Sequence, residues 1–153
     1  LEVPLYYEKF VAYVSPDEPV FQESVIPSQE MPLENLWVLE EGHCLRNQVF
    51  NFCNHQVHQS SVYEAGSIDT LVKIVDVNGG YTIIPELHVD LLSEKQKANL
   101  RDLVEPEAIR EISLVVRHDY VREGMMNAVA ESVKKVIPEH MLDARLKKFA
   151  IKL

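Results

Sequence analysis

Two cysteines nine residues apart are the side chains of this sequence best suited to chemistry. Cys44 and Cys53 are the only cysteines among the 153 residues. A thiolate attacks a peroxide oxygen and becomes a sulfenic acid, and a second thiol can then condense with it to form a disulfide. His43 and Arg46 lie close to Cys44 in the sequence and could supply positive charge or hydrogen-bond donors. This set of residues is typical of a thiol that reacts with peroxide.

The pattern after Gly42 predicts the helix that would position this thiol. Leu45, Val49 and Phe52 recur at helical spacing, so Cys44 would stand at or near a helix N-terminus. The unpaired N–H groups and the helix dipole at that end favour a thiolate over a thiol. Nine residues on a continuous helix span about 13–14 Å, whereas a disulfide needs Cα atoms within about 7 Å of each other. The two cysteines can therefore bridge only if the helix unwinds or the flanking loop rearranges.

Spacing alone leaves two other interpretations of the cysteines open. Each cysteine can be a small buried hydrophobic residue with no partner in chemistry. Alternatively, Cys44, Cys53, His55 and His58 are ligand types that suit zinc, although their spacing matches none of the common structural zinc patterns.

Short apolar runs alternate with helical patterns along the rest of the chain. Strands are predicted at residues 10–14, 36–39, 61–64, 81–84 and 112–116. Helices are predicted at residues 44–53, between Ser67 and Gly79, around residues 93–98 and from residue 123 onward, where an apolar stripe precedes Pro138 and a basic helical tail follows. This alternation predicts an α/β fold with substantially parallel sheets.

Charge and composition exclude several classes of protein. Acidic residues outnumber basic ones by 24 to 15, and the resulting net charge of −9 argues against binding to a phosphate backbone. Lys95, Lys97 and Arg101 are interpreted as a solvated helix face. No apolar run approaches the roughly 20 residues of a membrane-spanning helix, and no signal peptide is visible. A cytoplasmic protein is expected, and a processed chain or a fragment, since the sequence does not begin with Met.

The cysteine segment resembles the OxyR family of LysR-type transcription regulators. Residues 42–46 read Gly-His-Cys-Leu-Arg, and a Phe-Cys pair follows at residues 52–53. The similarity covers nearly the whole chain. It extends to residues 2–5, 39–42, 67–71, 79–85 and 114–117.

The resemblance implies a periplasmic-binding-protein-like effector domain of two α/β lobes joined by crossover strands. Residues 7–115 would form the second lobe, with the redox cysteines. Residues 1–6 and 116–153 would belong to an incomplete first lobe. The family's DNA-binding helix-turn-helix and the first half of its first lobe have no counterpart in this chain, which agrees with the negative charge.

The resemblance also assigns roles to single residues. Cys44 would be the peroxidatic cysteine and Cys53 the resolving cysteine. His43, Arg46 and Arg117 would line the pocket that binds or activates peroxide. Neither a cofactor nor a metal is implied.

One position departs from the family pattern. Asn47 stands where relatives often have Asp. The change removes a possible partner for Arg46 and puts the local charge network in question.

The function that the resemblance implies is redox sensing by a regulatory domain that is not an enzyme. Its partners would be hydrogen peroxide, a thiol reductant of the glutaredoxin or thioredoxin type, and further copies of itself in a homodimer or tetramer. DNA and RNA polymerase would be reached only through the full-length regulator, and no membrane is involved. Two alternatives stay open: a LysR-type domain that binds a small metabolite between its lobes, and a thiol peroxidase.

Overall fold

A computed structural model describes residues 1–32, 34–52, 63–104 and 107–150. The strands are β1 (Glu2–Val14), β2 (Val25–Pro27), β3 (Leu36–Leu39), β4 (Tyr63–Ala65), β5 (Tyr81–Pro85), β6 (Leu100–Val104) and β7 (Ile109–Val115). The α-helices are α1 (Cys44–Phe52), α2 (Ile68–Asn78), α3 (Glu94–Lys97) and α4 (Glu123–Val136). None of the helices in these ranges is long and apolar enough to cross a lipid bilayer.

The strands form one mixed sheet in the order β2-β6-β1-β5-β3-β4, and β7 pairs with β1 outside this path. The pairs β2–β6, β3–β4 and β3–β5 are parallel. The central strand β1 runs antiparallel to β5, β6 and β7. The expected α/β class is thus correct. Among the described strands of this path, β2, β6, β5, β3 and β4 run in one direction and β1 runs against them, so the expectation of substantially parallel sheets holds except at β1.

The long strand β1 has two parts with different partners. Residues 10–14 lie in the sheet between β5 and β6, while residues 2–9 pair with β7 as a two-stranded ribbon. Phe10 pairs with Pro85, the last residue of β5. The ribbon therefore leaves the sheet at the edge where the parallel strands β3, β4 and β5 end.

A buried ion pair fixes the point where the ribbon leaves the sheet. The Glu8 carboxylate is fully buried and accepts hydrogen bonds from Arg110 Nε at 2.8 Å and from the Leu87 amide at 2.9 Å. Arg110 Nη2 lies 2.7 Å from the same carboxylate. A buried charge is stable only when it is paired and hydrogen-bonded, so these contacts hold β1, β7 and the turn after β5 together.

Alternate residues of β1 point to opposite faces of the sheet. Because apolar residues lie on both faces, helices cover both of them. One apolar cluster contains Phe10, Ala12 and Val14 with the inner face of α1, and the other contains Val11 and Tyr13 with Val72 and Val75 of α2. This packing holds α1 on the sheet, and Cys44 and Asn47 of this helix are exposed.

Two strands were not predicted, and one of them changes the interpretation of a charged residue. Arg101 does not lie on a solvated helix face, since α3 ends at Lys97 and Arg101 belongs to β6. Its guanidinium stacks 4.2 Å from the Phe21 ring centroid and donates to the Phe21 carbonyl. The unpredicted strands β2 and β6 pair with each other. Each is too short to show a long periodic pattern in the sequence.

The chain is helical from Glu123 as predicted, but the apolar stripe of α4 is only partly buried. Met126 and Ala130 of α4 are buried, whereas Val129 and Val136 are exposed. Beyond Pro138 the chain forms 3-10 turns at Glu139–Leu142 and Ala144–Phe149 instead of a regular basic helix.

Candidate thiol site

The candidate site begins in the turn that connects β3 to α1. The Glu40 amide donates to the Ala65 carbonyl at 3.0 Å, and the His43 amide donates to the Glu40 carbonyl at 3.4 Å. Gly42 has a φ of +98°, a conformation that L-residues with a side chain rarely adopt. The turn makes Cys44 the first residue of α1, with an exposed free thiol.

The predicted helix is confirmed over Cys44–Phe52. Leu45, Val49 and Phe50 are buried in the first apolar cluster and hold the helix on the sheet. Cys53, the second cysteine of the prediction, lies outside the described residues. From Cys44 to Phe52 the helix rises about 12 Å, at roughly 1.5 Å per residue. A disulfide between Cys44 and the residue after Phe52 is thus incompatible with this helix.

The first turn of α1 follows a turn that contains Glu40 and Glu41. The first turn of the helix itself carries no acidic residue. Partial positive charge from the first N–H groups of a helix stabilises an anion placed there. Cys44 is the first residue of α1 and so lies at this end of the helix.

Arg46 is engaged with the sheet. Its Nη1 atom donates to the Leu39 carbonyl at 3.0 Å and also forms an ion pair with Glu64 on β4. The guanidinium lies 5.4 Å from the Phe50 ring centroid. Asn47 carries no charge and is exposed, and the carboxylate that pairs with Arg46 is that of Glu64.

Sequence reasoning missed Glu64. It lies 18 residues after Arg46 and reaches Arg46 only because β4 pairs in parallel with β3, Val38 opposite Glu64. The weak strand pattern at residues 61–64 was the only signal available, and it contained neither the partner strand nor the register.

The other predicted pocket residues lie on the ribbon side of the sheet. His43 is exposed in the turn before α1. Arg117 follows β7 at the far end of the ribbon, where Val115 pairs with Glu2. Its side chain is 83% exposed and pairs with Asp119, with Nη2 and Oδ2 2.9 Å apart. The roles of His43 and Arg117 toward peroxide stay predictions.

Most of the alternative zinc site lies outside the described part of the chain. Cys53, His55 and His58, three of its four candidate ligands, lie outside it. Within the described ranges no group of three His, Cys, Asp or Glu side chains is placed to hold a metal ion.

A cavity of about 550 Å³ lies at the opposite edge of the sheet and is not part of the thiol site. Asp76 and Asn99 line this cavity, and the buried Tyr13 hydroxyl donates to Asp76 at 2.5 Å and accepts from Asn99 at 3.3 Å. Gln96 donates to the other Asp76 oxygen at 2.9 Å. Burial and the hydrogen bond to Asp76 raise the pKa of Tyr13 to about 12.

Known proteins are similar to this chain in sequence and in structure. Residues 2–138 match the family model described as LysR substrate binding domain. The hydrogen peroxide-inducible genes activator of Haemophilus influenzae is 34% identical over 146 residues, which cover 90% of this chain and 47% of the relative. The DNA-binding transcriptional dual regulator OxyR of Escherichia coli K12 is 28% identical over 92% of this chain and 46% of the relative.

A solved structure is also similar to this chain. Reduced OxyR from Porphyromonas gingivalis has a TM-score of 0.82 and 36% identity, over 94% of this chain and 66% of that chain. This chain spans about half the length of the curated relatives described above. The α/β fold around β1 is thus that of a periplasmic-binding-protein-like effector domain, and the chain belongs to the LysR substrate binding domain family.

Proposed function

We propose that this chain is the redox-sensing part of a LysR-type regulator, and that hydrogen peroxide oxidises Cys44. The names of the relatives from Haemophilus influenzae and Escherichia coli support this assignment. The observation that carries it is the placement of Cys44: an exposed free thiol on the first residue of a packed helix whose first turn has no carboxylate.

The proposed chemistry has two steps. The Cys44 thiolate attacks one peroxide oxygen, an S–O bond forms, the O–O bond breaks, and hydroxide leaves and takes up a proton to become water. The Cys53 thiolate then attacks the sulfur of the sulfenic acid and displaces a second hydroxide, which is also protonated. Two thiols and one hydrogen peroxide become one disulfide and two waters.

The disulfide is a switch because it cannot coexist with α1. Joining Cys44 to Cys53 requires the backbone between them to unwind, and the disulfide then traps a second arrangement of the segment. In the complete regulator this change would alter how lobes and subunits pack and so control transcription. A thiol reductant of the glutaredoxin or thioredoxin type would restore the dithiol.

Further parts of this proposal follow the family resemblance. His43, Arg46 and Arg117 would help bind or activate peroxide. The division into a lobe of residues 7–115 and parts of another lobe at residues 1–6 and 116–153 is supported by the ribbon that leaves the sheet after Lys9. A homodimer or tetramer, and contact with DNA through segments outside this chain, belong to the same proposal.

Mass spectrometry of peroxide-treated protein tests the proposed function. We expect a loss of two hydrogens that maps to a Cys44–Cys53 disulfide, with consumption of about one equivalent of peroxide per chain. No mass change at modest peroxide would favour the metabolite-binding alternative. Rapid consumption of many equivalents in the presence of a thiol reductant would favour the peroxidase. Either result would overturn the proposal.

A further inference from the structure

Arg46 joins three parts of the fold at the beginning of α1. It lies two residues after Cys44, in the first turn of the helix. Its guanidinium binds the last carbonyl of β3, at Leu39, and the Glu64 carboxylate on β4. The Arg46 side chain is only 14% exposed, and that of Glu64 is 44% exposed. These contacts fasten the first turn of the helix to the edge of the sheet.

The position of Glu64 in the chain connects this ion pair to the segment with the second cysteine. Glu64 is the second residue of β4, shortly after the stretch that contains Cys53. Arg46 and Glu64 therefore bracket the stretch in which a disulfide would have to rearrange the backbone. While the pair is closed, the two ends of that stretch are held together at β3 and β4.

The same pair must be disturbed when Cys44 moves. A disulfide draws Cys44 out of the first helical turn, and Arg46 is too close in sequence to stay in place when that turn unwinds. The ion pair is then present in the dithiol form and lost in the disulfide form. The ion pair therefore stabilises the dithiol form and not the disulfide form.

Within the described ranges, Glu64 is the carboxylate that contacts Arg46. The neighbouring Asn47 carries no charge and is exposed. The buried carbonyl of Leu39 would still accept a hydrogen bond from Arg46 if the carboxylate were removed, so Glu64 can be tested without freeing the arginine completely.

We propose that Glu64 is a positioning residue, whose carboxylate holds Arg46 on the sheet and so biases the cysteine pair toward the dithiol state. This inference rests on the proposed function, because it requires the Cys44–Cys53 disulfide to form. It assigns to Glu64 a regulatory effect exerted through Arg46 without contact to peroxide.

The test is the thiol–disulfide equilibrium of the 153-residue chain in glutathione buffers, measured for wild type and Glu64→Gln. Oxidised glutathione takes two electrons from the dithiol, giving the protein disulfide and two reduced glutathiones. Glutamine keeps the shape of the side chain and removes its charge. We expect the equilibrium constant for disulfide formation to rise about two- to fivefold, the range for a partly exposed ion pair.

Glu107→Gln is the matched control. The Glu107 side chain is about as exposed as that of Glu64, 41% against 44%, and it pairs with Lys9 away from the thiol site, so this variant should keep the wild-type equilibrium. Added salt provides a second measurement because it screens exposed charges. Salt should shift wild type and Glu107→Gln toward the disulfide more than it shifts Glu64→Gln.

The outcomes separate this inference from the proposed function. If Glu64 only stabilises the fold, Glu64→Gln would destabilise the dithiol and disulfide forms equally and leave the equilibrium constant unchanged. That result would overturn the inference, although the disulfide would still form. A fall in the equilibrium constant would also overturn it. Failure of the wild type to form the disulfide at all would overturn the proposed function, and the inference with it.

Discussion

Helix periodicity explains why a single residue, Cys44, can be reactive while its neighbours are structural. Leu45 and Val49 point into the core, and Cys44 falls on the outer side at the end of the helix. The thiol is therefore accessible to a small oxidant without any opening of the core. The same helix sets the rise of about 12 Å from Cys44 to Phe52.

Replacement of Cys53 by Ser should stop the oxidation at the sulfenic acid. With no second thiol to condense, Cys44 should be trapped by dimedone at about one adduct per chain after peroxide, as detected by mass spectrometry. Cys44→Ser should give neither adduct nor disulfide. A Cys53→Ser protein that gains no adduct at peroxide levels that oxidise wild type would contradict the assignment of Cys44.

Gly80 is a residue whose identity is set by the backbone around it. Its φ is +81°, and an added Cβ would lie 2.5 Å from the Asn35 carbonyl oxygen and 2.9 Å from Trp37 Nε1. Strain and overpacking together should make Gly80→Ala less stable by about 2–4 kcal/mol. Urea unfolding measures this change.

Gly124 provides the control for that substitution. It lies near the start of α4, and an added Cβ would meet no heavy atom within 4 Å. Gly124→Ala should raise the free energy of unfolding by roughly 0.5–1 kcal/mol, since alanine is the better helix former. Equal effects of the two substitutions would show that the close approach at Gly80 carries no cost.

At the scale of elements, a polar network joins β1 to both α2 and α3. Tyr13 donates to Asp76 at the end of α2, and Gln96 of α3 donates to the same carboxylate. Because the pKa of Tyr13 is raised to about 12, the unfolded chain releases this proton near pH 10 while the folded chain retains it. The stabilisation from this hydroxyl is complete below pH 10 and is lost as the pH rises toward 12.

Comparison with Tyr13→Phe isolates this effect. The stability advantage of wild type over the variant should shrink by roughly 1 kcal/mol between pH 9 and pH 11, measured by urea unfolding at each pH. Other tyrosines titrate in both proteins and cancel in the difference. A difference that stays constant across this range would contradict the buried hydrogen bond to Asp76.

Sequence patterns predicted the helices of this fold better than its sheet. Periodic apolar residues and the Ser67 cap located α1, α2 and α4, and Ser67 does accept a hydrogen bond from the Thr70 amide at 3.2 Å. Strand direction and register depend on pairing between distant segments, which leaves no local pattern. For this reason β2 and β6 were missed, and so was the ion pair between Arg46 and Glu64.

At the scale of the whole molecule, the Glu8–Arg110 pair connects the ribbon to the sheet. Glu8→Gln would leave Arg110 without its buried charge partner, and the free energy of unfolding should fall by about 3 kcal/mol. Lys9→Gln changes the next residue, which forms only an exposed pair with Glu107, and should alter stability by less than about 0.5 kcal/mol. Urea unfolding that gave the same small change for both variants would contradict a structural role for the buried pair.

Hydrogen exchange along α1 tests the central claim most directly, because that claim is that an intact helix keeps the two thiols apart. The amides of residues 48–52 donate within this helix and should be protected in the dithiol form. After peroxide treatment, and with the Cys44–Cys53 disulfide verified by mass spectrometry, we predict that this protection is lost while that of α2 is retained. Unchanged protection of residues 48–52 in the verified disulfide form would contradict the account.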